Sequence, residues 1–155
     1  MKFKSKEDLD VPIAQVFDMI ADFERHERSA MRRGVKIKRL DSLEAPGLGA
    51  KWDIGFQMRG RERQAEVEVT GFDRPNEMTF EAQIQGLDST VEVVLVPLSK
   101  TRTRLNVVGT LKPKTLSARL MVQSLKLAKK NISKRFNKKL AGLARDMEDR
   151  ASKAA

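Results

Sequence analysis

The chain has 155 residues, 40% of them hydrophobic, and contains no cysteine, no tyrosine and one histidine. This length suits a single domain that can build its own core, and the lack of cysteine excludes disulfides, thiolate metal sites and a cysteine nucleophile. The formal net charge is +10, yet residues 1–92 hold 15 basic and 18 acidic side chains, whereas residues 93–145 hold 14 basic side chains and no acidic one.

The sequence also limits the expected location of the protein and the kinds of site that it can contain. No segment approaches the roughly 18 apolar residues of a membrane span, and the N-terminal residues lack the apolar core of a secretion signal. No metal-ligand spacing, phosphate-binding loop or nucleophile motif is present. We therefore expect a cytoplasmic protein with one domain over residues 1–155, no metal and no cofactor.

Two short helices are predicted after a first strand. Apolar residues recur at helical spacing over residues 13–20, behind Pro12, and Asp10 is the expected cap of this helix. Asp22 is expected to open a second helix, which ends before Gly34.

From Val35 to Leu111 the pattern changes to alternation of apolar and polar residues, interrupted by turn signals, which predicts successive antiparallel strands. A two-residue turn at Arg59 and Gly60 would pair Phe56 with Arg63. Turns at 73–76, 86–88 and 99–101 would then pair Val69 with Phe80, Val93 with Ala82, and Leu105 with Leu95. All these pairings put the apolar side chains on one face of the sheet.

The C-terminal third returns to helical periodicity. An apolar stripe runs from Met121 through Ile132 and Leu143 to Met147, which predicts one long amphipathic helix beginning near Thr115. The sequence therefore predicts an α+β fold, in which an antiparallel meander sheet curves around a long C-terminal helix.

Several segments carry a resemblance to a known superfamily. They are VPIAQVF (residues 11–17), ADFERH (21–26), GLGAKW (47–52), VTGFDRPNEMTF (69–80), LVPL (95–98) and TRTRL (101–105). In this order and spacing the chain resembles the SRPBCC superfamily, the START-related and polyketide-cyclase-like helix-grip domains. The resemblance implies a cavity between the sheet and the C-terminal helix for apolar or amphipathic small molecules. Many relatives have a Pro and a Trp shortly after the position of His26, where this chain reads ERSA (27–30).

The inward-facing residues are the expected lining of that cavity. They are Trp52, Ile54, Phe56, Met58, Val67, Val69, Met78, Phe80, Leu95, Leu105, Met121 and Leu125. A cavity with apolar and methionine side chains suits an irregular or flexible ligand. The alternative is a filled core with no cavity.

Two arginines are candidate anchors for a polar end of the ligand. Arg61 and Arg63 fall on the inward face near the hairpin end, where guanidinium groups could hold a carboxylate or phosphate. The alternative is that both side chains extend into water.

Three other polar residues are expected to have no role in a site. His26 could act as a general base, but we expect it to be exposed to solvent. Asp53 and Glu66 are expected to face each other on the outer surface, as a mildly repulsive pair rather than a cation site. No residue is predicted to be catalytic.

The basic segment is the remaining feature. Its expected surface comprises Lys126, Lys129, Lys130, Lys134 and Lys138. Such a surface could adsorb to an anionic membrane, and the alternative is a solvated face that binds nothing. Nucleic acid is not expected as a partner, because this segment offers almost no aromatic residue for base stacking.

The leading hypothesis is therefore binding or transport of a hydrophobic or amphipathic small molecule, of a lipid or isoprenoid kind, without catalysis. Two alternatives stay open: an enzyme resembling polyketide cyclases or dehydratases, and a module whose basic face binds an anionic membrane or nucleic acid. The expected location is the cytoplasm, including the inner face of a membrane.

Overall fold

The computed structural model describes residues 1–154, and in that range it contains seven strands and four helices. In chain order they are β1 (Lys2–Leu9), α1 (Ile13–Ile20), α2 (Phe23–Arg32), β2 (Lys36–Arg39), β3 (Lys51–Met58), β4 (Arg61–Asp73), β5 (Glu77–Ile84), β6 (Leu87–Pro97), β7 (Thr103–Pro113), α3 (Leu116–Leu127) and α4 (Lys129–Ala154).

The strands form one antiparallel sheet in the order β1-β7-β6-β5-β4-β3-β2. Strands β2 to β7 are neighbours in chain order, so they form a meander, and β1 joins it by pairing with β7. This confirms the α+β helix-grip arrangement, with two short helices after the first strand and a long helix at the C-terminus.

The sequence predicted three of the four strand pairings in their observed register. Phe56 pairs with Arg63, Val69 with Phe80, and Leu95 with Leu105. The turn between β3 and β4 consists of Arg59 and Gly60, both with positive φ (54° and 73°), as a two-residue hairpin turn of the primed type requires.

The predicted pairing of β5 with β6 was wrong by four residues. The turn is formed by Gln85 and Gly86, at φ 44° and 81°, so Leu87 already belongs to β6 and pairs with Ile84. Val93 consequently lies opposite Met78 instead of Ala82. Because four is an even number, the shift leaves the same side chains on the inner face.

The helical C-terminal third also differs from the prediction, since α3 and α4 are separate helices divided at Ala128. The helical segment begins near Thr115 as predicted, and Thr115 caps α3 by accepting a hydrogen bond from the backbone N–H of Ala118 at 3.2 Å. The division has a packing cause: α3 buries Ala118 and Val122 in a small cluster of its own, whereas α4 packs on the main core. Neither glycine nor proline marks this position in the sequence.

The main core is formed by the inner face of the sheet, α1, the start of α2 and α4. Its α4 members are Leu140, Ala144 and Met147. Leu143, which the predicted stripe included, is 38% exposed. The cap expected at Asp10 is not made, because Pro12 directly precedes α1 and no side chain caps this helix. Asp22 opens α2 as predicted, although its carboxylate accepts no hydrogen bond from the helix.

Candidate functional site

An apolar cavity of about 340 Å³ lies between α2 and the sheet. Its sheet wall consists of Ile37 on β2, Trp52 and Ile54 on β3, Val67 on β4 and Phe80 on β5. Its other wall is formed mainly by Ile20, Phe23 and Ala30. Almost every side chain facing the space is apolar, so the cavity suits hydrocarbon groups.

Aromatic contacts hold part of the cavity wall in shape. The Phe23 ring packs edge-on against Trp52 with centroids 5.0 Å apart, and against Phe80 at 6.3 Å. Phe23 is the first residue of α2, directly after Asp22, and it is buried. Edge-to-face packing fixes ring orientation, so the three rings form a rigid wall.

The cavity lies elsewhere than the resemblance implied. Four of the predicted lining residues face it, namely Trp52, Ile54, Val67 and Phe80. Four others, Val69, Met78, Leu95 and Leu105, are at most 3% exposed and belong to the packed core. That core includes Met147 and Leu140 of α4, so side chains fill the space between the C-terminal helix and this part of the sheet.

The remaining predicted lining residues also lie outside the cavity. Phe56 and Met58 are half-buried toward the hairpin end of β3. Met121 and Leu125 are half-buried on α3, which packs on Leu87.

A carboxylate lies at the rim of the cavity. Glu27 is only 16% exposed, and its Oε1 accepts a hydrogen bond of 3.3 Å from the indole N–H of Trp52. Its Oε2 is 3.7 Å from the guanidinium of Arg39, which also stacks 5.1 Å above the Trp52 ring. The hydrogen bond from Trp52 and the positive charge of Arg39 compensate the cost of removing this carboxylate from water.

Arg39 in turn connects the rim to the loop between β2 and β3. It forms an ion pair with Asp41, whose carboxylate also accepts from the backbone N–H groups of Lys51 (2.8 Å) and Leu43 (3.0 Å). The hydrogen bond from Arg39, together with those backbone N–H groups, lowers the pKa of Asp41 to about 2. This chain of contacts ties α2, β2, β3 and their loop together around the cavity mouth.

His26 is half-buried rather than exposed as predicted. Its Nε2 lies 3.2 Å and 3.0 Å from the carbonyl oxygens of Met19 and Ile20, at the C-terminal end of α1. Carbonyls only accept, so Nε2 carries the hydrogen and donates to them. The imidazole therefore satisfies helix-end carbonyls and fixes α2 against α1.

The two anchor candidates do not face the cavity. Arg61 is exposed at the hairpin end. Arg63 is half-buried, and its Nη1 donates to the side-chain oxygen of Gln85 at 3.0 Å, across the tips of neighbouring hairpins. Neither side chain contacts this cavity, so the role of the two arginines as anchors stays a prediction.

The outer-face carboxylates behave as ordinary surface groups. Asp53 lies opposite Glu66 as the register requires, and Glu66 forms an ion pair with Lys51 at 2.8 Å. Over residues 1–154 no group of three or more His, Asp or Glu side chains is arranged to hold a metal ion.

The predicted basic surface is exposed. Lys126 lies in the last turn of α3, and Lys129, Lys130, Lys134 and Lys138 follow on the first turns of α4, all of them facing solvent. In the described part of the chain, no helix is both long and apolar enough to cross a membrane.

Sequence reasoning missed the rim residues Glu27 and Arg39. Their helix and strand were predicted, but the two segments lie side by side only because α2 crosses the edge of the sheet near β2. The available signal was the replacement of the family's Pro and Trp by ERSA (27–30), which puts a carboxylate and a small alanine at the cavity mouth.

Comparison with solved structures places this architecture among known proteins. The chain is similar to the protein TTHA0849 from Thermus thermophilus over 100% of its own length and 99% of the other chain, with 16% identity and a TM-score of 0.66. It is similar to a START superfamily protein from Mycobacterium smegmatis over 99% of both chains (15% identity, TM-score 0.62).

A third similar structure is norcoclaurine synthase from Thalictrum flavum, with 12% identity, a TM-score of 0.67 and coverage of 96% of this chain and 84% of that one. No protein-family model matches the sequence, and the comparison with curated proteins found no match. At these identities the likeness shows the fold: this chain has the START-related, SRPBCC-type helix-grip fold.

Proposed function

We propose that the protein binds a hydrophobic or amphipathic small molecule in the cavity between α2 and the sheet, and carries it without chemical change. The observation that supports this most directly is the apolar space of about 340 Å³ walled by Trp52, Ile54 and Phe80. A fold shared with ligand-binding proteins is consistent with it.

The size of the cavity sets the kind of ligand. A volume of about 340 Å³ is at the lower end of the range for small-molecule sites. It suits a medium alkyl or isoprenoid chain or a small ring system. The two titratable groups beside it, His26 and Glu27, already serve α1 carbonyls and the Trp52 indole, which favours binding over proton transfer.

The only tryptophan of the chain reports on this cavity. Titration with decanol should change Trp52 fluorescence saturably, with one site per chain. Ala30→Phe should fill the cavity from α2 and weaken binding more than about tenfold, since a ligand would have to displace the new ring. Ala141→Phe, at a half-buried alanine of α4 outside the cavity, is the matched control. Equal binding by both variants would contradict the proposal.

A second candidate function, contact with an anionic membrane, is favoured by the outer face of α3. Leu116, Leu120 and Leu127 are 74%, 59% and 93% exposed, and their spacing places them on one side of the helix, opposite the buried Ala118. We call these three leucines the leucine ridge. Arg119 and Lys126 flank it on the same helix.

The ridge and the basic surface would act together on a membrane. Apolar side chains enter the interface, and neighbouring cations are attracted to anionic lipid by about 1 kcal/mol each. Transfer of a ligand between the cavity and a membrane would then be the role of the protein.

Vesicle sedimentation tests this second function. The protein should bind phosphatidylcholine vesicles containing phosphatidylserine and should be released by high salt. Replacing the ridge by Leu116→Ser, Leu120→Ser and Leu127→Ser should weaken binding at least about tenfold. The control is serine at Leu40, Leu43 and Leu48, which are exposed leucines of the β2–β3 loop. Unchanged binding of the ridge variant would refute membrane contact through α3.

A further inference from the structure

A second cleft lies on the other side of α2, between that helix and α4. It has a volume of about 680 Å³ and is separate from the apolar cavity in chemistry, because most side chains around it are basic. Those from α2 are Arg25, Arg32 and Arg33, and those from α4 are Lys139 and Arg150. We call this cleft the basic groove.

The positive charge of the basic groove is poorly compensated. The one carboxylate that faces it, Asp146, is 3.2 Å from Nε of Arg150. Among the described residues, Arg25, Arg32, Arg33 and Lys139 have no ion pair, and all four are exposed. Four exposed cations without an ion pair around one concave space give the groove a positive potential, which attracts an anion.

A glycine widens the floor of the groove. Gly142 lies within α4, where glycine costs about 1 kcal/mol of helix stability relative to alanine. Neither the backbone nor the packing calls for it: its φ is not positive, and an added Cβ would meet nothing within 4 Å. What its missing side chain does provide is open space in the groove.

We propose that the basic groove binds a small molecule carrying two adjacent phosphate groups. Guanidinium groups bind phosphate oxygens in pairs. Helix α2 supplies three of them that have no ion pair within residues 1–154, and α4 adds the ammonium group of Lys139. The uncompensated charge matches a diphosphate better than a single carboxylate. The hydroxyl of Ser29 adds a neutral hydrogen-bond donor to the same wall. The groove is a bounded cleft rather than an extended stripe, which favours a small molecule over a nucleic acid backbone.

The diphosphate could be free or could be the head group of the ligand in the apolar cavity. His26 lines both spaces, so the two sites meet at one side chain of α2. The chemistry recognised is the same in both cases, and only the second case rests on the proposed function.

Calorimetric titration with inorganic pyrophosphate at physiological ionic strength tests the groove by itself. We expect one saturable site per chain. The double variant Arg32→Glu, Lys139→Glu should weaken binding more than about a hundredfold, since two charge-assisted contacts become repulsive. The control Lys38→Glu, Lys100→Glu changes the net charge equally at exposed positions outside the groove. Equal loss in both variants, or no saturable site in the wild type, would overturn the proposal.

Gly142→Leu provides a variant that keeps every charge. Leucine is a better helix former than glycine, so the protein stays folded, and the new side chain occupies the groove. We expect pyrophosphate binding to fall at least about tenfold while the thermal midpoint does not decrease. Wild-type affinity in this folded variant would overturn the proposal.

Geranyl diphosphate distinguishes the two sources of phosphate. If the head group of the cavity ligand is recognised, Ala30→Phe should weaken geranyl diphosphate binding and leave pyrophosphate binding unchanged. If a free diphosphate is recognised, Ala30→Phe should affect neither compound. If the proposed function fails, the wild-type protein will not bind decanol but will still bind pyrophosphate. If the proposal for the groove fails, the wild-type protein will bind decanol but not pyrophosphate.

Discussion

At the scale of single residues, the cavity mouth depends on a few polar contacts that link distant parts of the chain. Glu27 on α2 accepts a hydrogen bond from the Trp52 indole and forms an ion pair with Arg39. Arg39 also forms an ion pair with Asp41 in the following loop. None of these contacts is strong by itself at a partly exposed site. Together they fix the position of α2 above the sheet, and hence the width of the cavity.

Asp41 makes a pH-dependent contribution to stability that can be measured. Its pKa in the folded protein is about 2, below the ordinary value of 3.8, because Arg39 and two backbone N–H groups stabilise the carboxylate. The contribution is therefore present above pH 4 and lost as the pH falls toward 2. Asp41→Asn should lower the free energy of unfolding by about 1–2 kcal/mol at pH 6 and by about a third of that at pH 2.5, where the carboxyl is protonated in the unfolded chain but still mostly ionised in the folded protein.

Urea unfolding followed by Trp52 fluorescence at several pH values checks this. Glu44→Gln, in the same exposed loop, should change stability by less than about 0.5 kcal/mol at every pH. A difference between wild type and Asp41→Asn that stays constant from pH 6 to pH 2.5 would contradict the assigned role of the carboxylate.

At the scale of secondary-structure elements, two hairpin turns of the same type differ in what surrounds them. Gly60 and Gly86 both have positive φ, at 73° and 81°. A Cβ added at Gly60 would meet nothing within 4 Å, whereas at Gly86 it would come within 2.6 Å of Oγ1 of Thr115, the cap of α3. The turn between β5 and β6 is therefore packed against the start of α3.

Alanine substitution at the two turns separates backbone strain from this contact. Gly60→Ala should cost about 1 kcal/mol, the usual cost of a left-handed alanine. Gly86→Ala should cost about 2–3 kcal/mol, since Thr115 must also move and its cap is weakened. Chemical denaturation of both variants measures the difference, and equal costs would show that the packing against Thr115 contributes nothing.

The same turn shows how far the sequence predicts the elements. Alternation and turn residues were enough to assign the inner face of β3 to β7 and the exact pairing of β3 with β4. They misplaced the β5–β6 turn, because Gly86 fits either a two-residue turn or a longer loop, and only the burial of Leu87 decides between them. Likewise no local signal marks the break at Ala128, which arises because α3 and α4 pack on different clusters.

The candidate site was less predictable than the fold. Sequence periodicity tells which face of a strand is buried, and it correctly gave Trp52, Ile54, Val67 and Phe80 an inward position. It does not tell whether a helix fills the space opposite that face. Here Met147 and Leu140 of α4 fill the space opposite one part of the sheet. The space between α2 and the other part stays open, because Ala30 of α2 is small.

At the scale of the whole molecule, the structure separates three surfaces around α2 and the C-terminal helices. The apolar cavity lies on one side of α2 and the basic groove on the other, and the leucine ridge lies on α3 among basic residues. A group of acidic side chains, Glu66, Glu68 and Glu81, lies on the outer face of the sheet. Because basic residues lie on the helices and acidic residues lie on the sheet, an anionic surface would attract the helices and repel the outer face of the sheet.

The location of a bound alkyl chain tests the central claim most directly. Crystals of the protein grown with 12-bromododecanol should show an anomalous bromine peak inside the cavity, within van der Waals distance of about 4 Å of Trp52, Ile54 or Phe80. The same crystals of Ala30→Phe should show no peak there. A bromine peak between the sheet and α4, or an α2 cavity closed by its own side chains in the presence of the compound, would contradict the account.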